Sequence, residues 1–113
     1  MRVISGKFKG YKIEFTKNSL TRPLKDSVKE SIFNVLAHSN LFKVRVEKSK
    51  ILDLYSGIGS FGIEAISRGA KKVMFIEQDK HNAKILKNNL MRISQIDQVN
   101  VINDKIENTL KKK

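Results

Sequence analysis

Thirteen consecutive residues, Lys50-Ile-Leu-Asp-Leu-Tyr-Ser-Gly-Ile-Gly-Ser-Phe-Gly62, leave the chain few folds to choose from. Ile51, Leu52 and Leu54 form a short apolar run of the kind buried in a sheet. Gly57, Gly59 and Gly62 follow with the spacing G-x-G-x-x-G, where a side chain would obstruct a tight turn or the close approach of a ligand. Strand, glycine turn and helix start, in that order, open the βαβ unit of a doubly wound sheet, which holds a nucleotide-like cofactor at the carboxyl ends of its strands. Glycine spacing alone is a weak signal. Asp53 sharpens it, because it stands inside the strand, four positions before Gly57.

A loop built for pyrophosphate keeps carboxylates away from its anionic ligand, since the helix N-terminus supplies positive charge. Asp53, at the carboxyl end of its strand, suits a ligand that carries a cationic amino group and a sulfonium instead. S-adenosylmethionine (SAM) is such a ligand and has no phosphate; the competing role for Asp53 is to cap the following turn. A second strand, Lys72-Val-Met-Phe-Ile-Glu77, places Glu77 20 residues after Gly57, where an acid accepts hydrogen bonds from ribose hydroxyls in this fold. Glu77 can alternatively cap the next helix, a job for which Asp79 is better placed. The third strand, Val99-Asn-Val-Ile102, ends in Asn103-Asp104, and Asp104 either reaches an adenine amino group or caps the helix after it. With Tyr55 on the loop, the candidate cofactor-binding set is Asp53, Tyr55, Gly57, Gly59, Glu77 and Asp104. Three strands that each end in a carboxylate at one sheet edge weigh more than any one of them.

The surrounding periodicities fit an α/β fold: an amino-terminal β-hairpin and helix, then β-α-β-α-β, the first half of a Rossmann-like sheet. In the leading helix, Ser27-x-x-Glu30 reads as a capping box, and Val28, Ile32, Val35 and Leu36 share one face. Residues 40–50 read as a connector. The helix after Gly59 runs to Ser67 or Arg68 with Gly69 past its end. The helix from Asp79 turns Ala83, Leu86, Leu90 and Ile93 inward and Lys80, Lys84 and Lys87 outward. Right-handed crossovers order the strands 3-2-1. The first strand then has an open apolar edge, and the faces of this half-sheet stay poorly covered, unless further strands and helices are supplied.

Charge adds a partner class. Of 113 residues, 23 are Lys or Arg and 11 Asp or Glu, a net charge of +12. Residues 1–50 carry 12 basic and 4 acidic side chains, and residues 51–113 carry 11 and 7, so the leading part has the larger excess. Arg2, Lys7, Lys9, Lys12, Arg22 and Lys25 are candidate phosphate contacts for a nucleic acid. Phe8 and Tyr11 interleave with the lysines and can stack on bases. The alternation of Tyr11, Ile13 and Phe15 argues about two to one for burial of Tyr11 over stacking. At this length one domain is the ceiling. There is no cysteine, no metal-ligand cluster, no membrane-length apolar run and no signal peptide after Met1-Arg2, and His38 and His81 have no ligand-like partners. The expected location is the cytoplasm.

The stretch Asp53-Leu-Tyr-Ser-Gly-Ile-Gly-Ser-Phe-Gly-Ile-Glu-Ala-Ile-Ser-Arg-Gly-Ala70 resembles the first motif of bacterial methyltransferases that modify guanine N2 in small-subunit (16S) ribosomal RNA. Ile4-Ser-Gly-Lys-Phe-Lys-Gly10 and Thr21-Arg-Pro-Leu-Lys-Asp-Ser-Val-Lys-Glu-Ser-Ile-Phe-Asn34 resemble that family's amino-terminal hairpin and following helix. The glycine motif is shared by many methyltransferases; its combination with these two segments is much more specific. The resemblance implies a SAM-dependent class I methyltransferase, with residues 1–48 as a basic RNA-contacting extension and residues 49–113 as the SAM-binding half of the catalytic domain. It implies ribosomal RNA or the small ribosomal subunit as partner. The family's catalytic segment, [Asp/Asn]-Pro-Pro-[Tyr/Phe] at the end of its fourth strand, has no counterpart here, for the chain's one proline is Pro23. The resemblance therefore covers the cofactor half, and no catalytic residue is assigned.

Two other readings stand beside it. One is a non-catalytic RNA-binding half-domain, completed by a second chain that supplies the rest of the sheet. The other is a nicotinamide-dependent oxidoreductase, which the glycines and Glu77 allow but Asp53 and the amino-terminal resemblance oppose.

Overall fold

The computed structural model describes residues 1–15, 26–38, 45–54, 56–93 and 98–111. After the amino-terminal segment come helix α1 (Asp26–His38), strand β1 (Lys50–Asp53), helix α2 (Ser60–Ser67), strand β2 (Lys72–Ile76), helix α3 (Lys80–Ile93), strand β3 (Val99–Ile102) and the short helix α4 (Ile106–Lys111). The three strands form one parallel sheet in the order β1-β2-β3, the order that right-handed crossovers require. Lys50 pairs with Lys72 and Asp53 with Phe75; Val73 pairs with Val99 and Ile76 with Ile102. This register brings Asp53, the residues after Ile76 and those after Ile102 to a common carboxyl edge.

Central β2 is the best buried strand, with Val73, Phe75 and Ile76 all inaccessible. β1 lies at an edge, and Leu52 and Leu54 are 46% and 37% exposed, so the apolar run of the motif is only half covered. α3 buries Ala83, Leu86, Leu90 and Ile93, as the 3.6-residue periodicity requires. α2 ends in a Schellman turn: the Gly69 N–H donates to the Ile66 carbonyl and the Ala70 N–H to the Ala65 carbonyl, each at 3.0 Å. Gly69 permits the turn by adopting φ +104°.

The leading part departs from the sequence expectations in three ways. First, the hairpin is reduced to a single antiparallel bridge, Arg2 with Lys12. Backbone bonds from the Val3 N–H to the Tyr11 carbonyl and from the Ile13 N–H to the Met1 carbonyl flank the bridge. The rest of the segment is tied to Glu64, Ser67 and Asn89 of other elements, so strand alternation does not govern it. Second, Ile13 is buried, whereas Tyr11 and Phe15 are 46% and 48% exposed; Phe8, proposed for stacking, belongs to the core with Val3. Third, the apolar face expected of α1 points outward. Val28 and Val35 are exposed and, with Ile32 and Leu36, border an open groove of about 450 Å³. Ser27 lies inside the helix and not at its cap, its carbonyl taken by the Ser31 hydroxyl at 2.9 Å.

α1 buries Lys29 and Phe33 instead. The Phe33 ring stacks on Phe61 of α2 at 4.8 Å, and the Lys29 ammonium lies 3.3 Å from the buried Glu64 carboxylate. It also donates to the Arg2 carbonyl and the Ser60 hydroxyl. Burying a lysine is unfavourable unless its charge is matched, and Glu64, the one charged residue of α2, provides the match. Patterning that counts lysine as a surface residue turns α1 the wrong way round.

Candidate functional site

The carboxyl edge of the sheet is assembled by backbone geometry first. After β1 the chain turns through Gly57 at φ +55° and Gly59 at φ +94° before α2 begins. A Cβ at Gly59 would lie 2.2 Å from Leu86 Cδ1, and one at Gly62 would lie 2.2 Å from the Phe75 ring. Those two glycines therefore let α2 sit down on α3 and β2. Gly57, at φ +55°, and Gly59, at φ +94°, share the conformational part of the motif, and the Gly57 N–H is held by an acid.

That acid is Glu77. Its Oε1 accepts from the Gly57 N–H at 2.8 Å and its Oε2 from the Asp79 N–H at 3.0 Å, so it ties the glycine loop to the end of β2. Asp79, in turn, accepts from the Asn82 N–H at 2.8 Å and is the cap of α3. Asn103, just past β3, donates to the Glu77 and Gln78 carbonyls at 2.8 and 3.2 Å. The three strand ends are thus stitched together across the sheet. Asp104 accepts at Oδ1 from the Lys105 N–H at 2.7 Å and from the Asn108 side-chain amide at 2.9 Å, at the start of α4.

Asp53 is the exception. Its Oδ2 is buried and has no hydrogen-bond partner. Burial raises its pKa to about 6, partly offset by the Gly62 N–H and reinforced by the neighbouring negative charge of Glu77. A buried, unsatisfied carboxylate oxygen beside a glycine turn fits a ligand that brings a cation or hydrogen-bond donors. It does not fit a phosphate.

The structure thus groups Asp53, Gly57, Gly59 and Glu77 at one edge, while Tyr55 lies outside the described residues. Arg2, Lys7, Lys9 and Lys12 are all exposed on the amino-terminal segment; Arg22 and Lys25 lie outside the described residues. Lys7 sits 5.1 Å from the Phe8 ring centroid, and Tyr11 meets Phe8 edge-on at 5.4 Å. Among the described residues no cluster of His, Cys, Asp or Glu can hold a metal, and no helix is long and apolar enough to cross a membrane.

The segment that carries these lysines is gripped by one face of α2, which sequence reading missed. Glu64 accepts from the Ile4 and Ser5 N–H groups at 2.8 and 3.0 Å and pairs with Arg68 at 2.8 Å. Ser67 accepts from the Phe8 N–H at 2.9 Å and donates to the Ser5 carbonyl at 2.6 Å. Gly6 runs so close to α2 that a Cβ there would lie 1.9 Å from the Ser67 carbonyl oxygen. The available signal was the spacing of Ser60, Glu64 and Ser67, a polar line on an otherwise apolar helix.

The whole chain, residues 1–113, matches the family model described as Conserved hypothetical protein 95. Ribosomal RNA small subunit methyltransferase D of Haemophilus influenzae is 40% identical over 104 residues, 91% of this chain and 51% of that protein. YlbH of Bacillus subtilis, named as an rRNA methyltransferase, is 36% identical over 97% of this chain and 56% of its own length. The solved structure of Escherichia coli yhhF superimposes with a TM-score of 0.80 at 28% identity, over 97% of this chain and 55% of the other. The chain spans about half the length of the curated relatives it matches. These matches, together with the parallel half-sheet, place the chain in the family described as Conserved hypothetical protein 95, that of the small-subunit ribosomal RNA methyltransferases D.

Proposed function

We propose that this chain carries the SAM-binding part of an enzyme that methylates guanine N2 in small-subunit ribosomal RNA, in the cytoplasm. The carrying observation is the unpartnered Asp53 oxygen beside the glycine turn and Glu77. Bound SAM supplies an electrophilic methyl group to an exocyclic base nitrogen. Ionised Asp53 offers its free oxygen to the cationic end of the cofactor. Glu77 already holds Gly57 and has acceptor capacity left for ribose hydroxyls. Tyr55, Gly59 and Asp104 complete the proposed set.

Residues 1–48 form the RNA-contacting extension of this reading. In this reading Arg2, Lys7, Lys9, Lys12 and Arg22 contact phosphates and Tyr11 stacks on a base, which its exposure supports. The exposed side of β1 and the outward apolar face of α1 are the surfaces that the rest of a doubly wound domain would cover, whether it is supplied by the same or a second polypeptide. With no [Asp/Asn]-Pro-Pro-[Tyr/Phe] segment in the sequence, the 113-residue chain by itself is expected to transfer no methyl group.

Calorimetric titration of the chain with SAM tests the reading. Saturable binding that Asp53→Ala weakens at least about tenfold (about 1.4 kcal/mol) supports it. No binding, with RNA still retained in a salt-dependent way, would leave the RNA-binding half-domain as the function.

A further inference from the structure

Asn89 belongs to neither the cofactor set nor the basic segment, yet it touches both neighbourhoods. It lies on α3 and is almost fully buried. Its Oδ1 accepts from the Glu14 N–H at 2.9 Å, and its Nδ2 donates to the Glu14 carbonyl at 3.1 Å. The same Nδ2 donates to the carbonyl of Ile58, between Gly57 and Gly59, at 3.0 Å. One amide group therefore pairs both backbone groups of a residue in the amino-terminal segment and a carbonyl of the glycine loop. One turn on, Arg92 forms an ion pair with the Glu14 carboxylate, so α3 holds Glu14 through main chain and side chain together.

We infer that Asn89 is a positioning residue that couples the RNA-facing amino-terminal segment to the cofactor loop, so that RNA bound to one and cofactor bound to the other strengthen each other. The physical basis is the sharing of one rigid donor and acceptor set. An amide on the middle of a helix cannot follow Glu14 without changing its hold on Ile58. Ordering either segment fixes the amide for the other. Because coupling between two ligands is reciprocal, SAM must raise RNA affinity by the same factor as RNA raises SAM affinity. The inference rests on the functional reading above, since it needs both ligands.

Calorimetry on the full chain decides it: SAM affinity is measured with and without a saturating short RNA hairpin of mixed sequence, in wild type, Asn89→Ala and Asn89→Asp. Asn89→Asp keeps the acceptor for Glu14 and removes both donors, so it remains informative if Asn89→Ala fails to fold. Wild type is expected to bind SAM about fivefold or more tightly with the hairpin present, and the folded variants to bring that factor close to one. A purely structural role would weaken SAM in both arms and leave the ratio unchanged, which would overturn the coupling. Amide exchange supplies a readout without ligand: loss of the clamp must speed exchange at Glu14 and Gly59 together while the centre of α3 stays protected. Equal protection in wild type and variant overturns the clamp itself. If wild type binds no SAM at all, the functional reading fails first, and the coupling falls with it. Two ligands that bind wild type additively sink the coupling alone.

Discussion

Two carboxylates of the sheet half, Glu64 and Asp53, face different regions of this molecule, and they behave in opposite ways. Glu64, on α2, has no exposed surface and is surrounded by donors: the Ile4 and Ser5 N–H groups, Arg68 and Lys29. Burial alone would raise its pKa. The Ile4 N–H, the Arg68 guanidinium, the Lys29 ammonium and the Ser5 N–H outweigh that and lower it. Asp53, at the end of β1, is raised to about 6 because burial is left largely uncompensated and one oxygen has no partner. A carboxylate whose every oxygen is satisfied is part of the scaffold. One left short of partners in an otherwise well-bonded region is a place for something else to bind. Glu64 joins α1, α2 and the amino-terminal segment; Asp53 is held ready at the edge of the sheet.

The sharpest way to break this comparison is to remove Glu64. Glu64→Ala leaves the Lys29 ammonium buried without its counter-charge and frees two backbone N–H groups, a change of about 3–5 kcal/mol for a broken buried pair. Thermal unfolding followed by circular dichroism should show a chain that is unfolded or barely folded at ambient temperature. A melting temperature within a few degrees of wild type would mean that Glu64 is not the scaffold acid.

Gly62→Ala should cost less, about 1–3 kcal/mol, because its Cβ would meet the Phe75 ring at 2.2 Å. The substitution separates packing from ligand approach within one motif. Phe75→Leu in the same chain makes room and should recover part of the loss in chemical denaturation. Failure of that rescue would mean that Gly62 matters for something other than the seat of α2 on β2.

Stability against pH sharpens the contrast, since the two acids carry opposite signs. Asp53 has a folded-state pKa above its ordinary value, so its unfavourable contribution is absent below about pH 4 and grows as pH rises to about 6. Glu64 has a lowered pKa, so its contribution is present above its ordinary value near 4.5 and is lost as pH falls through the lower folded value. Asp53→Asn should therefore stabilise the chain above pH 6 by up to about 3 kcal/mol, the shift being about two pKa units at about 1.4 kcal/mol each, and by little below pH 4. Denaturation midpoints of the two proteins measured across that range settle it; parallel curves would show that Asp53 is not held at a raised pKa. The same charge should matter in reverse for a cationic cofactor, whose affinity should fall as pH drops below 6.

Much of the sheet and its site was legible because it follows from short-range rules. Glycine spacing, apolar runs and the acids that follow them put Asp53, Gly57 and Glu77 on one edge, and the structure groups them there. The helix end at Gly69 and the inward face of α3 follow from capping and periodicity in the same way. The amino-terminal part was misread because its packing depends on partners about 60 residues away in sequence, such as Glu64 for Ile4 and Ser67 for Phe8. No local period announces a lysine that is buried because a distant glutamate is waiting for it. Tyr11 and α1 were turned inward by pattern, when the polar line on α2 had already decided which residues would be.

The smallest expected effect concerns Lys9, which is exposed and takes no part in the Glu64 seam. Lys9→Ala should change stability by no more than about 0.5 kcal/mol, as surface substitutions away from special features do. Its consequence should lie in RNA binding instead. A lysine that neutralises one phosphate releases about one counterion, so the slope of log affinity against log salt should fall by about one when it is removed. Filter binding to a ribosomal RNA fragment over a range of salt concentrations measures that slope directly. An unchanged slope together with unchanged affinity would remove Lys9 from the proposed interface. A changed slope with an unchanged melting temperature would show that the segment clamped by Glu64 exists to present charge, with the scaffold acid holding the backbone and the lysines left to the nucleic acid.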